Sequence, residues 1–195
     1  MAAEQNASAL DPRLAPPPLS APRDSRLRLF YALWPDAATR AALAALQHGI
    51  GGRLTPADNL HLTLAFLGQQ SDAVLPLLRT VLASLSAAPL PLTLNRSGYF
   101  PRQRLAWIGP EPAPAALLEL QQQLTRALAQ QLPHYQMAER FLPHVTLARK
   151  VAAAVPTPLA SIAWRSSQIA LVSSVTLAHG ARYEVLAARV LDGSP

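Results

Sequence analysis

His61-Leu62-Thr63-Leu64 and His144-Val145-Thr146-Leu147 are two copies of one short pattern: His, aliphatic, Thr, Leu. The polar positions keep a single spacing (144 − 61 = 83 and 146 − 63 = 83). A proline and a short approach precede each copy, Pro56-Ala57-Asp58-Asn59-Leu60 before the first and Phe141-Leu142-Pro143 before the second. In an extended strand, residues i and i+2 share a face. His61 and Thr63 therefore project together, as do His144 and Thr146. Leu62, Leu64, Val145 and Leu147 point the other way, into a core. One half-site is written twice. With the two strands side by side near a pseudo-twofold axis, two imidazoles and two hydroxyls converge on one cleft.

That set of groups suits a phosphate ester. Histidine titrates near 6.5, so close to neutrality one imidazole can be neutral and the other protonated. The neutral ring takes a proton from the attacking oxygen; the protonated ring gives one to the leaving oxygen. Threonine hydroxyls suit the non-bridging oxygens, where negative charge builds. The arrangement requires no metal and no cofactor. Arg149 lies five residues after His144, an odd offset that takes it off that face on an ideal strand. It is expected to reach an anion from the strand end, where its planar fork matches phosphate. Phe66 holds the corresponding place after His61 and offers a packing or base-stacking surface.

Working outward, Arg26 to Leu33 alternates in favour of a strand with Leu27, Leu29, Tyr31 and Leu33 on one face. Asp36 is placed to cap a helix over 37–47, with Gly49 suited to its end. Gly51, Gly52 and Pro56 mark a loop. The first motif strand spans 60–67, with Gly68 ending it. Ser71 caps a second helix over 72–87. Two strands, 92–100 and 104–108, flank a turn at Pro101-Arg102-Gln103. Pro114 opens a third helix over 115–131, with Leu117, Leu120, Leu124 and Leu128 as its apolar stripe. The second motif strand is Val145 to Arg149, followed by a Pro/Ala-rich loop over 152–158. Closing strands over 167–178 and 182–191 meet at His179-Gly180. Strands alternating with helices, with hairpins among them, give a mixed α+β class in two similar halves.

Bulk properties agree. A chain of 195 residues, half of them hydrophobic, can bury a substantial core, whereas residues 1–24 are Pro- and Ala-rich and read as a flexible tail before a single domain over 25–195. The net charge of +6 and pI near 10.7 favour an anionic partner such as a nucleotide or nucleic acid. Absence of cysteine excludes disulfides and cysteine-based zinc sites or nucleophiles. No apolar run reaches the roughly 20 residues of a membrane span, and the N-terminus lacks the apolar segment of a secretory signal. A cytoplasmic monomer with no membrane partner is the expectation.

The stretches 59–68 (NLHLTLAFLG) and 141–149 (FLPHVTLAR), with the opening strand 26–33 and the Ser174, Gly180 and Tyr183 pattern near the end, resemble the two-histidine (2H) phosphoesterase family. The similar branch is the RNA 2′,3′-cyclic phosphodiesterases, also known as bacterial-type 2′–5′ RNA ligases. The resemblance covers about residues 26–191 and implies a bilobal α+β fold, with two antiparallel sheets around a central cleft and helices outside. It implies hydrolysis of RNA or nucleotide 2′,3′-cyclic phosphate ends to 2′-phosphates, with His144 as proton acceptor and His61 as proton donor. Thr63, Thr146 and Arg149 would hold the phosphate, and Phe66 would line the site. Reversal would join a cyclic phosphate end to a 5′ hydroxyl. A non-catalytic binder of RNA ends or nucleotides is the alternative in a different class. Phosphodiesterases for 2′–5′-linked oligonucleotides or ADP-ribose cyclic phosphate are alternatives within the family. His48, His134 and His179 read as helix-end and loop residues, Trp34, Trp107 and Trp164 as core or groove packing. Arg96, Arg102 and Arg104 read as a solvated face, with an RNA-backbone contact as the functional alternative.

Overall fold

The computed structural model describes residues 25–153, 160–177 and 180–192. The tail over 1–24, most of the loop after Lys150 and the turn at His179 lie outside them. The strands are β1 (Arg26–Leu33), β2 (Arg53–Leu54), β3 (Leu62–Ser71), β4 (Leu90–Phe100), β5 (Leu105–Pro110), β6 (Val145–Arg149), β7 (Ile162–Ser166), β8 (Gln168–Leu177) and β9 (Gly180–Val190). The helices are α1 (Ala37–Ala45), α2 (Leu75–Ser84) and α3 (Ala115–Gln131). The class is α+β, as expected. Asp36 caps α1 by accepting from the Thr39 N–H at 2.7 Å, and the four stripe leucines of α3 are all buried.

The strands run in the order β7-β4-β5-β6-β3-β1-β8-β9, with β2 attached to β6. Every pairing is antiparallel. The two expected sheets are thus two four-stranded halves of one continuous sheet. Their seam is thin: β3 and β6 share a single register pair, Leu62 with Val145. That pair falls one residue after each motif histidine, so the pseudo-twofold axis passes between the two half-sites.

The three helices of the described residues all contribute to one large core. Leu43 of α1, Leu78 and Val81 of α2 and Leu124 of α3 join Leu29, Leu62, Leu94, Val145 and Leu171 from the strands. The Tyr31 hydroxyl donates to the Leu78 carbonyl at 2.7 Å, tying β1 to α2. The other side carries only a small cluster, Phe30, Ala32, Ala170 and Val172, with Trp34 and Tyr183 against it. One side of the sheet is therefore filled by helices. The other is left for a cleft.

Several element limits differ from the sequence expectation. β3 does not end at Gly68 but continues to Ser71. Gly68 takes φ +68° at a register shift against β1, a bulge that only a residue without Cβ adopts cheaply. The loop before the first motif contains β2. Residues 162–166, unassigned from sequence, form β7 against β4, with Ile162, Trp164 and Ser166 buried.

Candidate active site

Each histidine is fixed by the same local device. His61 Nδ1 is 2.6 Å from the Asn59 carbonyl, and His144 Nδ1 is 2.8 Å from the Leu142 carbonyl. A carbonyl only accepts, so Nδ1 carries the hydrogen in both rings and Nε2 is left for chemistry. Asn59 is itself held, its side-chain amide donating to the Ala181 carbonyl at 2.7 Å. The Leu142 side is set by close backbone approach: a Cβ on Gly109 would lie 2.3 Å from the Pro143 oxygen.

Aromatic walls surround both rings. His61 lies 4.8 Å from Phe30, 5.7 Å from Trp34 and 5.3 Å from Tyr183, centroid to centroid. His144 lies 5.3 Å from Phe100 and 6.0 Å from Trp107. Burial among these rings disfavours the charged imidazolium. It lowers the His61 pKa to about 4, opposed by the Asn59 hydrogen bond and reinforced by the positive charges of Arg149 and His144. Burial also lowers His144, again opposed by its carbonyl partner and reinforced by Arg149. With His61 neutral, the Thr63 hydroxyl donates to its Nε2 at 3.1 Å.

All six residues expected from sequence meet in one cleft. His61, Thr63, Phe66, His144, Thr146 and Arg149 line a cavity of about 380 Å³, together with Arg28, Arg53, Phe30, Ser174 and Tyr183. The odd offset of Phe66 and Arg149 has a structural cause. In β3 the pairing with β1 skips Leu64, from Thr63 opposite Ala32 to Ala65 opposite Tyr31. In β6 the pairing with β5 skips Leu147, from Thr146 opposite Trp107 to Ala148 opposite Ala106. These bulges occupy equivalent places (147 − 64 = 83). Each inserts one residue and reverses the alternation beyond it. Phe66 and Arg149 thereby return to the face of the histidines and threonines.

Sequence reasoning missed two cationic lining residues, Arg28 and Arg53. Arg28 alternates with the core-facing leucines of β1, so its face was legible; its side chain lies over the Phe66 ring, 4.9 Å from the centroid. Arg53 sits on a two-residue strand with no periodicity to read. The Arg96, Arg102 and Arg104 cluster stays outside the cleft lining. Arg96 pairs with Glu111, and all three residues are exposed. His48 and His134 are exposed, and Trp164 is core.

Residues 34–184 match the model of the 2′-5′ RNA ligase superfamily. The chain belongs to that superfamily. It is 34% identical over 177 residues to an RNA 2′,3′-cyclic phosphodiesterase of Thermus thermophilus, covering 82% of this chain and 88% of that protein. It is 36% identical over 113 residues to a protein of the same name from Escherichia coli, an alignment covering 58% of this chain and 64% of the relative. Among solved structures, E. coli LigT in apo form superposes with a TM-score of 0.76 at 30% identity, covering 86% of this chain and 98% of that one. LigT complexed with 3′-AMP gives a TM-score of 0.74 at 30% identity, with 86% and 99% covered. The architecture of this superfamily member is therefore that of the LigT-like phosphoesterases. Among the described residues no helix is long and apolar enough to cross a membrane.

Proposed function

We propose that the protein is an RNA 2′,3′-cyclic phosphodiesterase, opening terminal cyclic phosphates to 2′-phosphates by acid/base catalysis from two histidines. The observation that carries this reading is the paired lock on the imidazoles: both Nδ1 atoms are tied to carbonyls two residues upstream, and both rings line one cleft with no carboxylate among the described residues of its lining. The names of the T. thermophilus and E. coli relatives agree with it.

In the proposed reaction His144 Nε2 takes a proton from water as the water oxygen bonds to phosphorus. The bond from phosphorus to the ribose 3′ oxygen breaks, and protonated His61 Nε2 gives that oxygen its proton. Thr63 and Thr146 donate to the non-bridging oxygens, and the Arg149 guanidinium balances their charge. Phe66 lines the side of the cleft nearest the substrate's nucleoside. After turnover His144 holds a proton and His61 lacks one, so exchange with solvent resets the pair. Burial keeps His61 neutral near pH 7 in the free protein; a phosphodiester anion beside it raises its pKa and supplies the protonated form. Both half-sites come from one chain, so a monomer suffices, and a cytoplasmic location suits an RNA-end substrate.

The test is incubation of a short RNA bearing a 2′,3′-cyclic phosphate with the protein in EDTA. A 2′-phosphate product is expected. A 3′-phosphate product would reverse the leaving oxygen, and binding without product would make the cleft a recognition module.

A further inference from the structure

The cleft continues past His61 and Thr146 toward β2, as a space of about 270 Å³ walled by Arg53, Leu54, Thr55, Asn59 and Tyr183. Arg53 stands directly opposite Arg149 in the pairing of β2 with β6. Like charges facing each other across a ladder destabilise it. Among the described residues neither guanidinium has a carboxylate in ion-pair range, and no carboxylate lines either part of the cleft.

The juxtaposition is imposed by the backbone. Gly52 holds φ +88°, and a Cβ there would lie 2.6 Å from the Arg149 carbonyl oxygen. Past Arg53, the Thr55 N–H donates to the Leu147 carbonyl at 2.9 Å. The buried Gln47 side chain bridges the Thr55 and Leu147 carbonyls at 2.8 and 2.7 Å. Two cations are thus held side by side by a glycine, a strand pair and a buried amide. Anions relieve that repulsion. Both arginines line both parts of the cleft, so two guanidiniums border the histidines and the space beyond them, enough for two anionic groups.

We infer that Arg53 binds a second phosphate, the one on the 5′ side of the terminal ribose, so that the site reads a ribonucleotide with phosphate at both positions. This deepens the proposed reaction and rests on it. Arg53 acts in specificity and transfers no proton. The 5′-phosphate of a mononucleotide and the internucleotide phosphate of an RNA end present the same group at this position.

The experiment is a calorimetric titration with adenosine 2′-phosphate and adenosine 2′,5′-bisphosphate, in the wild type and in R53Q, R53K and R149Q. The wild type is expected to bind the bisphosphate about tenfold more tightly, the scale of one charge-assisted contact. R53Q removes that preference, R53K keeps part of it, and R149Q weakens both ligands. Equal binding by the wild type, or a preference that survives R53Q, overturns the inference. The kinetic arm compares kcat/KM for adenosine 2′,3′-cyclic phosphate, its 5′-phosphorylated form and the dinucleotide ApA ending in a cyclic phosphate. A gain shared by the last two and lost in R53Q supports Arg53. A gain confined to ApA overturns it, because the second nucleoside would then be what is read. The titration needs no turnover. A preference for the bisphosphate without hydrolysis refutes the reaction alone; hydrolysis without the preference refutes Arg53 alone.

Discussion

The two half-sites share a backbone and differ in what surrounds it. In both, a carbonyl two residues upstream fixes the imidazole, and a bulge three residues on, at Leu64 or Leu147, turns Phe66 or Arg149 into the cleft. His61, however, is walled by three aromatic rings and bonded to Thr63, whereas His144 has two ring neighbours. Among the described residues no corresponding bond joins His144 to Thr146. At the equivalent position beyond the bulge stands Phe66 in one half and Arg149 in the other. A duplicated frame brings two like groups into one cleft; in the proposed reaction their unlike walls would give the pair a direction, one ring donating and the other accepting.

The largest effect expected is the loss of either ring. His61→Ala and His144→Ala should each lower kcat by about 10²–10⁴-fold, the range for one general acid or base, in a protein that keeps its circular dichroism spectrum. The comparison sharpens with a substrate whose 3′ leaving oxygen is replaced by sulfur, since a thiolate departs without a proton. That substrate should restore much of the activity of His61→Ala and little of His144→Ala. The opposite pattern would exchange the two roles.

Next in size is the pH dependence. The neutral form of His61 is favoured by burial, which moves its pKa down from 6.5 to about 4, and His144 moves the same way. A depressed pKa means that the protonated acid appears only as pH falls below 6.5. The bell for kcat/KM reports the free protein and should therefore centre below pH 6.5. The bell for kcat reports the complex, in which the substrate anion raises both values, and should centre at higher pH. Coincident optima would mean that the aromatic walls do not set the protonation states.

How much of this was legible in the chain follows from periodicity. β1, α3 and β6 match their sequence limits to the residue, because each is an apolar run or a leucine stripe bounded by prolines or polar residues. The half-sites were legible because the motif occurs twice. β7 was missed because five residues give little pattern, although Ile162, Trp164 and Ser166 do alternate. The parity of Phe66 and Arg149 was not derivable from an ideal strand, since a bulge breaks the alternation. Its trace was the pair of consecutive apolar residues in both copies, Leu64-Ala65 and Leu147-Ala148, all four buried. Arg53 left no trace, because its place depends on Gly52 and on a strand more than ninety positions away (149 − 53 = 96).

The smallest effect separates the two residues beyond the bulges. Arg149→Gln removes a charge from the cleft lining and, if that charge holds the phosphate as proposed, should lower kcat/KM by about tenfold or more, since hydrogen bonds to charged groups contribute roughly 1.5–3 kcal/mol. Phe66 is 50% exposed, sits 6.5 Å from Phe30 in a stacked arrangement, and lies under Arg28. A half-exposed ring contributes little to the core, so Phe66→Ala should hardly move Tm. If the ring stacks on a nucleobase, its removal costs about 1–3 kcal/mol at most, and half exposure argues for the low end: a KM about fivefold higher with kcat little changed. Phe66→Leu separates stacking from packing, because leucine restores apolar bulk but has no π-face. Stacking predicts that Leu behaves like Ala in KM. A leucine variant with wild-type KM would instead make Phe66 a packing residue, and would leave Arg149 as the only functional difference between the two positions.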